Sequence, residues 1–100
     1  MPQCRKEIEE FPMKVKAELL DAISDLTAGI LISMPVSRKM EGLGSGIFEL
    51  RFRERMGIFR VIYLIKKGDA IYLVHAFQKK TNKTPHKNIN VSLQRIKRLL

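Results

Sequence analysis

Several features that would assign this chain to other classes of protein are scarce or missing. Cys4 is the only cysteine among 100 residues, so no disulfide can form within the chain, and we expect a reducing compartment. The longest apolar run, near residues 28–34, is too short to cross a bilayer. The charged residues that follow Cys4 do not fit a secretory signal. These scarcities predict a cytoplasmic protein without a membrane partner.

Residues that would indicate a metal or nucleotide site are also few. One cysteine and two histidines, His75 and His86, match no zinc-ligand spacing, and no serine or cysteine triad is indicated. Glycines at 42, 44 and 46 do not make a phosphate-binding fingerprint, because we expect neither a strand before them nor a helix after them. We therefore expect neither a metal nor a cofactor.

Acidic residues are scarce in the second half of the chain. Residues 51–100 carry thirteen Lys and Arg against Glu54 and Asp69, a net charge of +11, whereas residues 1–50 carry six against eight, a net charge of −2. Such asymmetry is typical of a half that binds a polyanion, and nucleic acid is the polyanion that it favours. The alternative is a basic surface that keeps the protein soluble or pairs with an acidic partner.

Helical spacing of apolar residues predicts two amphipathic helices, over residues 12–29 and 85–100. Residues 3–10 are charged and weakly helical. Thr84 is a suitable N-cap for the last helix because a proline follows it at the first helical position. The apolar stripes are Leu19, Ile23, Leu26 and Ile30, and then Ile89, Leu93, Ile96 and Leu100.

Between these helices the pattern changes to strands joined by short turns. We predict strands over residues 47–53, 58–66 and 70–77, paired as an antiparallel meander, after a loop at 34–46. The whole chain is then one α+β domain, residues 1–100, in which N-terminal helices and a C-terminal helix pack on a small antiparallel sheet. We expect the helices on one face of the sheet and the other face at least partly open.

Strand alternation decides where the charges of the first predicted strand lie. Successive side chains face opposite sides of a pleated sheet. One face would therefore be buried and apolar, and the other charged and able to meet phosphate. The apolar face would hold Phe48, Leu50 and Phe52, and the charged face Glu49, Arg51 and Arg53.

Three segments together resemble the toxins of the RelE/ParE superfamily, and most closely its HigB-like, phage-derived branch. They are residues 46–51 (GIFELR), 57–63 (GIFRVIY) and 75–81 (HAFQKKT), with Thr84 and Pro85 following. The resemblance covers about residues 11–100. Members of that family usually begin with a short strand, which this chain does not have in its sequence pattern.

The resemblance implies a toxin of a type II toxin–antitoxin system that acts as a metal-independent mRNA endoribonuclease, either free or on the ribosome. It also implies a cognate antitoxin, often a helix-turn-helix protein. The FxKK ending of the third segment favours the nuclease side of the superfamily. The alternatives are a ParE-like inhibitor of DNA gyrase and a non-catalytic relative that only binds nucleic acid.

Cleavage of RNA without a metal needs cations at the phosphate and groups that transfer protons. Arg60 is the candidate for phosphate stabilisation, with a buried or edge salt bridge to Glu49 as the alternative. Lys79 and Lys80 are candidate acid–base or phosphate groups, and His86 is a candidate proton carrier. We expect Arg60 and one of the two lysines to converge on a pocket that solvent can reach.

The remaining polar and aromatic candidates have lesser roles. We expect RNA-backbone contacts from Arg51, Arg53, Lys83 and Lys87. His75 shares the parity of neighbouring apolar residues and is typical of a packed histidine that is hydrogen-bonded to backbone. Tyr63 and Tyr72 are expected in the core rather than stacked on bases.

Overall fold

The structure is a computed structural model, and it describes residues 2–30, 32, 36–55, 57–66, 70–79 and 86–99, with only the backbone of residue 41. Its elements confirm the predicted α+β class. The α-helices are α1 (Pro2–Glu9), α2 (Met13–Thr27) and α3 (His86–Leu99), and the strands are β1 (Ser37–Lys39), β2 (Ile47–Glu54), β3 (Gly57–Lys66) and β4 (Ala70–Lys79). The predicted N-cap Thr84 lies outside the described residues.

The sheet is antiparallel, with its strands in the order β1-β2-β3-β4. The prediction of three strands is wrong by one, because β1 lies in the segment predicted as a loop, which also holds a 3-10 turn at Glu41–Leu43. With only three residues, Ser-Arg-Lys, β1 has no alternation of apolar and polar residues from which a strand could be predicted. It forms by pairing with β2, where Arg38 lies opposite Glu49.

Helix α2 packs on one face of the sheet through the predicted apolar stripe. Its buried side chains are Val15, Leu19, Ala22 and Leu26. The helix ends just before Gly29, whose φ of 84° is a left-handed conformation that side chains with a Cβ rarely adopt. The same face buries Leu50, Phe52, Phe59, Val61 and Tyr63, so α2 and these strand residues share one core.

Helix α3 packs on the opposite face of the sheet. Ile96 clusters there with Ile47, Ile62, Leu64 and Val74. The expectation that all helices lie on one face is therefore wrong, because β2 and β3 carry apolar residues on both faces and the second apolar region also needs a cover. Lys66 at the end of β3 donates a hydrogen bond to the carbonyl of Leu99.

Tyr63 is buried as predicted, and its hydroxyl lies 2.7 Å from that of Ser37 on β1. Burial raises the pKa of Tyr63, although the hydrogen bond with Ser37 opposes that change. The phenol therefore stays protonated and ties β1 to β3. Tyr72 is only partly buried, and the ammonium group of Lys66 lies 5.7 Å from the centre of its ring.

Gly46 makes the tight entry into β2. Its φ is 77°, and a Cβ at this position would lie 2.9 Å from the carbonyl oxygen of Ile65. A side chain would therefore clash with the backbone of β3 as well as strain its own backbone. The backbone geometry at the start of β2 therefore requires glycine at position 46.

The outer edge of β4 is closed by side chains from both flanking helices. Glu7 of α1 accepts a hydrogen bond from the amide of Ala76 at 3.1 Å, and Arg95 of α3 donates to the carbonyl of Val74 at 3.0 Å. Arg95 and Glu7 also pair with each other, with Nη1 2.8 Å from Oε1. The ion pair thus occupies backbone groups that an exposed edge strand would offer to another chain.

His75 lies in the same network. Its Nδ1 is 3.0 Å from Oε1 of Glu7, and its Nε2 is 2.7 Å from Oδ1 of Asn88. The prediction of a packed histidine is confirmed, but its partners are side chains rather than backbone, because α1 and α3 both reach the edge of β4. Among the described residues, no helix has the length and apolar character needed to cross a membrane.

The Glu7 network predicts a pH-dependent stability. Burial would raise the pKa of Glu7, but hydrogen bonds from Arg95, His75 and the Ala76 amide outweigh it and lower that pKa. Because the folded pKa lies below that of an unfolded glutamate, about 4.3, the stabilisation is present above that pH and is lost as the pH falls through the folded value. Urea denaturation between about pH 3 and pH 7 should show this loss.

Glu7→Gln should flatten that dependence and lower stability at neutral pH. Glu9→Gln is the matched control, since it removes the same charge from an exposed position on the same helix. An equally steep loss of stability in Glu7→Gln and in the wild type would contradict the assignment.

The thiol of Cys4 should be chemically inert in the folded protein. It is 1% exposed, and burial, with a further contribution from Glu7, raises its pKa to about 12. Because the thiolate is the nucleophile, labelling by a disulfide reagent near pH 8 should be at least about 10³-fold slower than for a free cysteine, whose pKa is about 8.5. Labelling should become fast in denaturant, and fast labelling of the native protein would show that α1, which carries Cys4, does not stay packed against the core.

Candidate nucleic-acid interface

The cationic residues of β2, β3 and β4 share the face on which α3 packs. Residues directly opposite in an antiparallel pair project to the same side. Arg51 lies opposite Arg60, and in the next row Arg53 lies opposite Ile58, which in turn lies opposite Lys79. The two rows therefore place cations from three strands on one side of the sheet.

Glu49 lies in the middle of these cations. Its Oε1 is 3.4 Å from Nε of Arg38, 3.8 Å from Nε of Arg51 and 3.5 Å from Nη1 of Arg60. The side chains of Glu49 and Arg60 have no exposed surface, whereas those of Arg51 and Arg38 are 16% and 32% exposed. We call these four residues the Glu49 cluster, and with one carboxylate and three guanidinium groups it carries a net charge of +2.

The structure corrects the expected position of Arg60. It shares a face with Lys79, but its guanidinium is buried and does not lie in the expected pocket that solvent can reach. The alternative of a buried salt bridge to Glu49 is confirmed. The physical reason is that a cation on a strand packed from both sides is stable only beside a counter-charge, and Glu49 is within reach on the adjacent strand.

The pKa of Arg60 reflects both its burial and the charges around it. Burial lowers the pKa of Arg60, Glu49 raises it, and the like charges of Arg51 and Arg38 lower it further. A guanidinium is always protonated in proteins, so the arginine stays charged and adds to the positive potential of the face. The charge of Arg60 can therefore attract an anion in solvent from a distance. Direct contact would require a movement that exposes the buried guanidinium group.

The other site candidates on described residues are partly or fully open to solvent. Arg53 is exposed, and Lys79 is half-buried at the end of β4. His86 and Lys87 are both exposed in the first turn of α3, whose N-terminal backbone amides add a positive partial charge. Lys80 and Lys83, predicted as catalytic and RNA-binding residues, lie outside the described residues.

A groove of about 490 Å³ lies beside β2, but its chemistry does not suit phosphate. Arg51 and Arg53 line one side of it. The other side is acidic, so a nucleic acid would be repelled there, and the α3 face of the sheet remains the better candidate. The acidic residues, all on α2, are Glu18, Asp21 and Asp25.

The sequence did not indicate Arg38 as a member of the Glu49 cluster, and it indicated the role of Glu49 only in part. Arg38 lies in a segment without strand periodicity, and only the pairing of β1 with β2 brings it opposite Glu49. The sequence pattern places Glu49 on the charged face of β2 and makes it the alternative partner of Arg60, but it does not show a carboxylate shared by three arginines. The signal for its wider role was its place on the charged face of β2 beside Arg51, since one carboxylate among cations on a buried face must pair with them.

The described residues offer no metal site. In residues 2–30, 32, 36–55, 57–66, 70–79 and 86–99, no three side chains of His, Cys, Asp or Glu lie close enough to hold an ion.

Comparison with known proteins assigns most of the chain to a family. Residues 6–97 match the family model described as phage derived protein Gp49-like (DUF891). No curated protein and no solved structure matches the chain. The matched segment begins within α1 and ends near the end of α3, so it includes every strand and every residue of the Glu49 cluster.

Because three arginines share one carboxylate, removing Glu49 and removing one arginine should lower the free energy of unfolding by different amounts. Glu49→Leu leaves a fully buried arginine beside two like charges and should lower the free energy of unfolding by about 3–5 kcal/mol. Arg60→Leu should cost less, about 1–3 kcal/mol, because Glu49 keeps Arg38 and Arg51. Urea denaturation at neutral pH measures both, and a larger cost for Arg60→Leu would contradict the sharing.

Proposed function

Because the chain belongs to the phage-derived Gp49-like family, which is associated with the toxins of toxin–antitoxin systems, we propose that it is such a toxin and cleaves mRNA as an endoribonuclease. We place it with the HigB-like toxins and expect it to act in the cytoplasm, on free transcripts or on the ribosome. The observation that carries the proposal is the row of cations from adjacent strands on the α3 face of the sheet.

The cations suit a phosphodiester for two reasons. Arg38, Arg51, Arg53 and Lys79 all keep part of their surface in solvent, so a strand of RNA can approach them. Guanidinium groups present planar donors that match phosphate oxygens, and they are in place before the reaction begins. The negative charge that builds on the phosphate oxygens during attack by the 2′-hydroxyl is then met by side chains, without a metal ion.

Proton transfer needs groups other than His75. Both ring nitrogens of His75 face Glu7 or Asn88, and the residue is buried, so it does not serve as a proton carrier. His86 is exposed at the start of α3 and is our candidate for protonating the leaving 5′-oxygen. Lys79, on the same face as the arginines, is the candidate for accepting the proton of the attacking 2′-hydroxyl. Lys80 remains a candidate acid–base or phosphate-binding group.

A protein partner completes the proposal. A toxin of this kind is held inactive by a cognate antitoxin, which we expect to be a helix-turn-helix protein encoded beside it. Masking of the basic face would by itself prevent RNA from binding, since attraction to the phosphates supplies much of the affinity.

One observation favours a second candidate, a relative that binds nucleic acid without cleaving it. Arg60, the best phosphate-stabilising candidate in the sequence, is fully buried. If the site does not open, the face offers binding cations without the group that was expected to stabilise the transition state. RNA binding with a steep salt dependence and no cleavage would then be the activity.

Induction of the protein with and without the neighbouring gene, followed by mapping of transcript ends, tests the proposal. We expect growth arrest and new transcript ends that the neighbour suppresses. Arg53→Ala with Lys79→Ala should reduce cleavage at least about tenfold, because the double variant removes two cations that meet phosphate without disturbing the Glu49 cluster. Lys97→Ala with Arg98→Ala removes the same charge from the last turn of α3 and is the matched control.

Each other outcome selects a different function. RNA binding in vitro without new transcript ends would replace the nuclease with the binding protein. DNA-damage signalling without loss of mRNA would indicate a gyrase inhibitor. Normal growth with intact transcripts would contradict the toxin assignment, provided that the protein accumulates in folded form.

A further inference from the structure

The position of Glu49 suggests a role beyond balancing charge. Three strands each supply one arginine to a single oxygen of Glu49, at 3.4 Å from Arg38, 3.8 Å from Arg51 and 3.5 Å from Arg60. Only the arginine on β3 is fully buried. The carboxylate is thus the common contact between a buried cation and two cations that reach solvent.

The atoms in contact show how Glu49 acts on the two outer arginines. Both Arg38 and Arg51 approach Glu49 through Nε, the guanidinium nitrogen next to the aliphatic chain. These contacts are ion pairs without a hydrogen bond at Nε, and their attraction keeps the Nε edge of each planar guanidinium group turned towards the carboxylate. Without such a contact, two long side chains with like charges would separate and lose that fixed orientation.

We propose that Glu49 is the positioning residue of the RNA-binding face, holding the guanidinium groups of Arg38 and Arg51 in the orientation that receives a phosphodiester. This inference rests on the proposed RNA-directed function. Glu49 does not touch the RNA, because it is fully buried, and it acts through the two arginines.

The direction in which RNA affinity changes when Glu49 is neutralised distinguishes positioning from a general effect of charge. Glu49→Gln raises the net charge by one, so electrostatics alone would tighten binding to a polyanion. Loss of positioning would weaken it. Glu7→Gln is the matched control, since it neutralises another carboxylate paired with an arginine, at the β4 edge.

The experiment measures the affinity of each variant for a single-stranded RNA oligonucleotide as a function of salt, on protein shown to be folded by circular dichroism. For Glu49→Gln we expect about tenfold weaker binding. Its slope of log affinity against log salt should be smaller by about 0.7 for each phosphate that the variant no longer neutralises. Tighter binding in Glu49→Gln, or a change equal to that in Glu7→Gln, would overturn the proposal.

Glu49→Asp gives a test without a change of charge, because it only shortens the side chain by one methylene group. We expect weaker RNA binding and a reduced salt slope at unchanged net charge. Wild-type affinity and slope in this variant would overturn the positioning role while leaving the RNA-binding function intact. Wild-type protein that binds no RNA would instead contradict the proposed function.

A measurement on the wild-type protein does not depend on the stability of any variant. In NMR spectra, the Nε–H protons of Arg38 and Arg51 should exchange with water more slowly than that of exposed Arg53, and they should shift when RNA is added. Exchange as fast as that of Arg53 would show that Glu49 does not hold them and would overturn the proposal.

Discussion

A buried carboxylate determines which arginines of this sheet can lie close together. A fully buried guanidinium group needs a counter-charge, and Glu49 supplies it to Arg60 while also contacting Arg38 and Arg51. The contact is possible only because β1, β2 and β3 pair in one register, since a shift by one residue would send Glu49 to the apolar face. The charged face thus depends on the same hydrogen bonds as the fold, and a change at Glu49 affects both.

The two faces of the sheet contribute differently to stability and to the proposed binding. Helices α1 and α2 cover a continuous apolar face, whereas α3 covers apolar residues at one end of the other face. The charged rows lie on that second face, where the paired strands form a rigid support and leave cations in contact with solvent. Rigid support matters because an arginine held in place loses less freedom when it binds a phosphate.

The network at the β4 edge explains why His75 takes no part in the proposed chemistry. Glu7 and Arg95 bond to the edge strand, and His75 is enclosed between Glu7 and Asn88. These contacts join the first helix to the last through the sheet, although α1 and α3 lie far apart in sequence. The network limits the pairing of β4 with other chains, and it removes the buried histidine from proton transfer.

The sequence by itself determined the α+β class, three of the four strands, the amphipathic helices and the alternation that separates Phe48, Leu50 and Phe52 from the charged residues between them, because these features follow from local periodicity. Only the tertiary structure decided the presence of β1, the second helical layer, the partners of His75 and the burial of Arg60. Each of these depends on contacts between residues distant in the chain. A strand of three polar residues forms only beside a partner, and whether an arginine meets solvent or a carboxylate is fixed by what packs around it.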